Sequence, residues 1–416
     1  MVLEDRAREL VLHLASDRSE DATSRFDETM RAALPAPRLS EVWRQVTTAF
    51  GAFESIEKVD SKSEGEVTVA VVLVRLERSN LAVRVVWRPK GELVTGLFFS
   101  PVSRPDAFTE APYVDRLKFE EKEVTFEAPL GALPGTISIP NGQGPFAAVV
   151  LVHGSGPHDR DGTVMANRPL RDIALGLSSR GVAVLRYEKR TKISPGSLAS
   201  LGMDLTVAEE TVQDAVAALH FLQTFPRVDP ARLFVAGHSL GGYVAPRIAQ
   251  QMPGVCGVIV LAGNARPLEE LILEQYRYLL PLQTSPEAAE AAIADMEKRV
   301  ARLAAATRDT PPTDLPLNLP APYWLDLRGY DPAQTLRATG KRTLLIQGGR
   351  DYHVSRADFD LWKNALSGSP ASEFCWIESL NHLFVAGEGK SRPEEYTKAG
   401  HVAEEVVSSV YQFMVR

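Results

Sequence analysis

Apolar residues open the chain at helical spacing: Leu3, Ala7, Leu10, Val11 and Leu14 share one face of a helix. Two more helices are expected over "DATSRFDETMRAAL" (21–34) and "LSEVWRQVTTAFGAF" (39–53). The period then changes. "EVTVAVVLVRLER", "LAVRVVWRP" and "ELVTGLFFSP" are β-branched or alternating runs, parted by "SN" and "KG" turns, and predict an antiparallel meander ending near Pro101. Residues 1–104 therefore read as a small α+β domain. The proline-rich, polar stretch 105–115 reads as a linker.

From residue 116 the pattern changes again. "EEKEVTFEA" and "GALPGTISIP" predict a leading hairpin. Six buried-strand runs follow: "FAAVVLVHG", "GVAVLRYE", "RLFVAGHS", "CGVIVLAG", "RTLLIQGG" and "SEFCWIES". They alternate with helical segments such as "LRDIALGLSSR", "VAEETVQDAVAALHFLQTF" and "VAEEVVSSVYQFMVR". Strands apolar on both faces, alternating with helices, indicate a mostly parallel, doubly wound α/β sheet over 116–416. Residues 266–339 interrupt the alternation with amphipathic helices and the proline-rich "PPTDLPLNLPAPYW". That insertion is too long for a simple connection, so a helical cap over the strand ends is expected.

Composition narrows the function. Hydrophobic residues make up 44% and charged residues 24%, ordinary for a soluble globular protein. The net charge of −7 and the lack of a basic run argue against nucleic acid. No apolar run reaches the ~20 residues of a membrane span. The N-terminal "MVLEDRARELVLHLASDRSED" mixes acids and bases where a secretory leader needs an apolar core, so a cytoplasmic location is expected. Cys256 and Cys375 lie in apolar runs and are expected to be buried, reduced thiols. No cysteine spacing suits a metal, and no cofactor is expected.

The chemistry centres on "VAGHSLGG". An apolar strand, a G-x-S-x-G turn and a helix follow one another, which would place Ser239 on a sharp elbow above the strand ends. A hydroxyl needs a base, and the base needs a carboxylate to orient it. In the α/β-hydrolases, whose serine elbow this stretch resembles, both follow the serine in the chain. Asp351 stands just past the strand "TLLIQGG", whereas Asp331, Asp358 and Asp360 look like exposed cap or helix positions, and Ser355 fits a helix cap. His382 follows the strand "SEFCWIESL". His353 is expected to point elsewhere, and His401, before the last helix, is the reserve. His13 and His220 fit packing positions, and His238 is the variable elbow residue. The turn "HGSG" after the first core strand would supply the Ser155 N–H to an oxyanion hole, with Gly154 second and the Leu240 N–H as the other donor. Asp159, Arg160 and Asp161 would brace that loop.

With "HGSG", "GHSLGG", "GGRD" and "NHLF" in this order, residues 115–416 resemble the α/β-hydrolase superfamily. "VHGSGPHDRDG", "LRYEKRTK" and "LNHLFVAGEGKSRPEEY" are similar to bacterial carboxylesterases that carry an N-terminal domain of unknown function. The resemblance implies an α/β-hydrolase fold and a serine esterase for short-chain acyl esters, with Ser239 as nucleophile, Asp351 as acid and His382 as base. Lys189 and Arg190 would edge the pocket or form a structural ion pair. Tyr276, Tyr323 and Trp324 of the cap are candidate pocket residues. The partner implied is a small-molecule ester, with no nucleic acid and no membrane; the N-terminal domain would cover the active-site mouth, mediate a homodimer or solubilise the chain. The same triad serves thioesterases and peptidases, and the fold also serves non-catalytic ligand binding.

Overall fold

The structure is a computed structural model and describes residues 3–64, 67–77, 79–88, 93–102, 109–194, 198, 201–369 and 371–416. The "KG" turn and residues 105–108 of the expected linker lie outside the described residues. The fold divides into two units. One comprises Met1–Thr109 with Val164–Asn167 and Pro393–Gly400; the other comprises Glu110–Thr163, Arg168–Arg392 and His401–Arg416.

In the first unit, helices precede a four-stranded antiparallel sheet in the order β1 (Phe53–Glu64), β2 (Val67–Leu76), β3 (Asn80–Trp87), β4 (Val94–Val102). The second expected helix is broken into Ser19–Thr23 and Glu28–Ala33. Between them Phe26 is buried and bridges to Val94. The Asp27 carboxylate then caps the new helix by accepting the Met30 N–H at 2.8 Å. The pattern of apolar residues does not predict strand β1. Two register shifts against β2 interrupt its alternation, so Phe53, Ile56 and Val59 reach the core at a spacing of three. That is a helix-like signal in a polar segment.

The second unit is built on an eight-stranded sheet. Its strands are β5 (Phe119–Phe126), β6 (Leu133–Pro140), β7 (Phe146–Val152), β8 (Ala183–Tyr187), β9 (Val228–His238), β10 (Val255–Leu261), β11 (Arg342–Gly348) and β12 (Ser372–Ile377), in the order β12-β11-β10-β9-β7-β8-β6-β5. The β5–β6 and β6–β8 pairs are antiparallel, and the rest are parallel. Alternate residues of β7 serve opposite faces. Ala148, Val150 and Val152 join the core beneath helices Gln213–Gln223 and Leu240–Gln251, while Ala147, Val149 and Leu151 join that beneath Pro169–Ser178 and Glu404–Val415. Because β7, β9, β11 and β12 run parallel, the loops that follow them leave the same rim of the sheet.

The insertion after β10 holds helices Leu268–Gln283, Pro286–Leu303 and Ala321–Leu327, with a small core of Ile272, Met296, Leu303, Leu315 and Trp324; Ala321–Leu327 joins it to the main core, which takes Tyr323 and Leu327. It is narrower than residues 266–339. Helix Pro332–Thr339 sends Ala333 and Leu336 into the main core and belongs to the helical layer. No helix among the described residues is long and apolar enough to cross a membrane. Both cysteines are free and half-buried rather than buried.

Candidate active site

Close backbone approach dictates the glycines of the elbow. A Cβ at Gly237 would overlap the Gly241 carbonyl, and one at Gly241 would lie 2.5 Å from the Val152 oxygen and 2.6 Å from that of His153. Neither position can carry a side chain without moving main chain. Ser239 itself sits at φ 56°, ψ −119°, sparsely populated for a residue with a Cβ. It ends β9 and starts helix Leu240–Gln251. Leu240 is thus the first helical residue, and its N–H has no intrahelical partner.

The turn after β7 lies against the serine. A Cβ on Gly154 would stand 3.2 Å from the Ser239 Cβ. Asp159, Arg160 and Asp161 brace this loop: Asp159 accepts the Thr163 N–H, Arg160 pairs with Glu188 at 2.7 Å, and Asp161 pairs with Arg186.

Asp351 and His382 are brought into direct contact. The His382 Nδ1 lies 2.7 Å from Asp351 Oδ2. Asp351 Oδ2 also accepts the Gln347 Nε2–H at 2.9 Å, and Oδ1 accepts the N–H groups of His353 and Val354 at 2.7 and 3.1 Å. Four hydrogen bonds on a buried carboxylate fix its plane. With Nδ1 donating, the remaining nitrogen of His382, Nε2, is the one that can take a proton. His382 is placed by a turn built on Asn381, whose side chain accepts the N–H groups of Leu383 and Val385 at 3.0 and 3.1 Å. Burial pushes Asp351 up to about 6 and His382 down to about 3. The imidazole is neutral across the ordinary working range, as a general base must be.

Two further imidazoles flank His382. The His238 ring is 4.7 Å away and its Nε2 donates to the His382 carbonyl oxygen at 2.8 Å, which ties the elbow to the turn carrying His382. The His353 ring lies 4.5 Å away, tilted by 40°, so the expectation that it points elsewhere is wrong. Two residues past Asp351, the chain turns back over the carboxylate it has just hydrogen-bonded. Burial lowers both rings to about 3.

The expectation of an exposed Asp358 is also corrected. Asp358 is fully buried, accepts the Ala265 and Arg266 N–H groups at 3.0 Å, and pairs with the Arg266 guanidinium at 2.7 Å. Tyr323 and Trp324 are buried, at 2% and 4% exposure. The Tyr323 hydroxyl donates to Glu210 at 2.7 Å, and Trp324 packs in the cap's small core, against which Tyr276 also lies. Lys189 and Arg190 form buried ion pairs with Glu210 and Asp214, at 2.7 and 2.6 Å. His401 is engaged by Asp172 at 3.2 Å. No group of three His, Cys, Asp or Glu among the described residues is arranged to hold a metal ion.

A helix-covered parallel sheet with a serine elbow and a carboxylate–imidazole pair on one rim defines an α/β-hydrolase architecture. Residues 149–399 match the Alpha/beta hydrolase family, and residues 7–95 match a family described as Protein of unknown function (DUF3887). The chain belongs to the alpha/beta hydrolase family. Over 410 residues it is 37% identical to Esterase EstD of Thermotoga maritima, covering 98% of this chain and 94% of that protein. Solved structures resemble it more distantly. An esterase of Pyrococcus furiosus is 20% identical, covering 72% of this chain and 91% of its own, with a TM-score of 0.48. Est1E from Butyrivibrio proteoclasticus is 16% identical, covering 70% and 97%, with a TM-score of 0.45.

Proposed function

We propose that this chain is a serine carboxylesterase acting on short-chain acyl esters. The observation that carries the reading is the 2.7 Å Asp351–His382 bond on the rim where Ser239 occupies its strained elbow. The near-full-length likeness to a protein named an esterase supports it. In the proposed reaction Ser239 Oγ attacks the ester carbonyl while His382 Nε2 takes its proton. The N–H groups of Ser155 and Leu240 hold the oxyanion. His382 returns the proton to the departing alkoxide. Water, deprotonated by the same nitrogen, then cleaves the acyl-enzyme. Asp351 keeps the imidazole in its Nδ1–H form and balances the positive charge that develops on it.

The test combines a short p-nitrophenyl ester with a fluorophosphonate probe. Hydrolysis and labelling in the wild type, both abolished in a folded Ser239→Ala variant, are the expected outcome. A folded wild type that neither labels nor hydrolyses would favour ligand binding instead. Faster turnover of an acyl-CoA or an aminoacyl anilide than of the ester would redirect the substrate class.

A further inference from the structure

The peptide between Gly154 and Ser155 is held from behind by a buried cation. Lys189, 2% exposed, donates from Nζ to the Gly154 carbonyl oxygen at 2.8 Å. In a planar trans peptide the C=O and N–H point in opposite directions. Fixing the Gly154 carbonyl on Lys189 therefore fixes the Ser155 N–H on the other side. The next two carbonyls are tied as well: Ser155 O lies 2.8 Å from His158 Nε2, and Gly156 O accepts the Thr191 hydroxyl at 3.0 Å.

Lys189 is itself held. Its ammonium bonds Glu210 Oε1 at 2.7 Å, and the other oxygen of that carboxylate accepts the Tyr323 hydroxyl at 2.7 Å. Glu210 sits in a π-helical turn, Ala208–Val212, a wide turn that recurs at functional positions. Burial alone would raise the Glu210 pKa, yet the neighbouring Lys189 side chain brings it below the ordinary carboxylate value. Tyr323 belongs to helix Ala321–Leu327 of the insertion. A continuous chain of three hydrogen bonds thus runs from the cap, through Glu210 and Lys189, to the peptide beside Ser239.

We infer that Lys189 is the positioning residue of the oxyanion hole, aiming the Ser155 N–H through the Gly154 carbonyl, and that Glu210 and Tyr323 make its aim depend on the cap. The inference rests on the esterase reading above. Lys189 does not touch the substrate. It orients a peptide dipole whose donor end meets negative charge that exists only in the transition state. Its loss should therefore lower kcat and leave KM alone.

The experiment uses the full chain with p-nitrophenyl butyrate as substrate and an alkyl trifluoromethyl ketone as inhibitor. The ketone adds the Ser239 oxygen across its carbonyl, the serine proton passes to His382, and the former carbonyl oxygen becomes the oxyanion. For Lys189→Met the expected result is a kcat lower by about 10- to 100-fold, below the full loss of a donor. KM should stay within about twofold, and the ketone's Ki should weaken by the same factor as kcat/KM. Lys189→Arg, which keeps a donor, should restore part of both. Should Lys189→Met not fold, Tyr323→Phe decides, with a few-fold drop in kcat and a matching weakening of the ketone at constant KM. Unchanged kcat in the folded variants, or a rise in KM that accounts for the whole effect, overturns the inference and leaves the esterase reading standing. A wild type without esterase activity brings down that reading, and this inference with it.

Discussion

The Asp351–His382 pair titrates as a unit, and its environment sets the direction. Burial holds Asp351 at about 6, so the first proton taken up on acidification enters the pair near that pH, whereas His382 at about 3 stays neutral well below it. A plot of kcat/KM against pH should show an acid limb for one proton at about 6. Gln347 donates to the charged carboxylate, so Gln347→Leu removes a bond that favours ionisation and should move the limb to higher pH. A limb that stays put would assign the titration to another group. The residues that carry motifs could be read from the chain because each follows an apolar run that ends at one rim. Gln347, Asn381 and His353 could not. Their roles depend on which loop returns to which carboxylate, and a glutamine inside "LLIQGG" looks like any strand residue.

At the level of elements, the parallel strands were legible because burial on both faces leaves uninterrupted apolar runs. The first unit was less so, since bulges spoil the period of β1 and a sheet bridge to Phe26 stops a helix that propensity would have continued. Charged residues show the same limit. Arg190 follows β8 in a segment that reads equally as a pocket edge or an ion pair; it is 1% exposed, pairs with Asp214 and donates to the Leu130 and Gly131 carbonyls at 2.6 and 3.1 Å. It therefore anchors the β5–β6 turn to helix Gln213–Gln223. Asp214→Asn would leave a buried guanidinium without its counter-charge, at a cost of about 3–5 kcal/mol. The exposed Arg308–Asp204 pair is the control: Asp204→Asn should change stability by less than about 1 kcal/mol. Denaturant midpoints of the two variants test the contrast, and equal shifts would contradict it.

On the scale of the whole molecule, acid should destabilise the fold before it reaches the ordinary carboxylates. His153, His238, His353 and His382 are all held below the usual imidazole value by burial. Below about 6.5 the unfolded chain binds protons at these sites that the folded chain refuses, so stability falls as pH falls. Asp351 and Asp172, both raised to about 6 by burial, act in the opposite direction below that pH, as do Asp214 and Glu269, but His158 is a fifth depressed imidazole, and Glu210 and Asp159, held below the usual carboxylate value, add to the loss in acid. Thermal midpoints should drop from about pH 6.5 downward, and His238→Gln should flatten the slope; a midpoint flat to about pH 4 would contradict this. Salt is a different matter. The cations at the end of β8 (Arg186, Lys189 and Arg190) each have a carboxylate partner and lie where mobile counter-ions do not enter. Turnover in brine should accordingly differ little from turnover in dilute buffer.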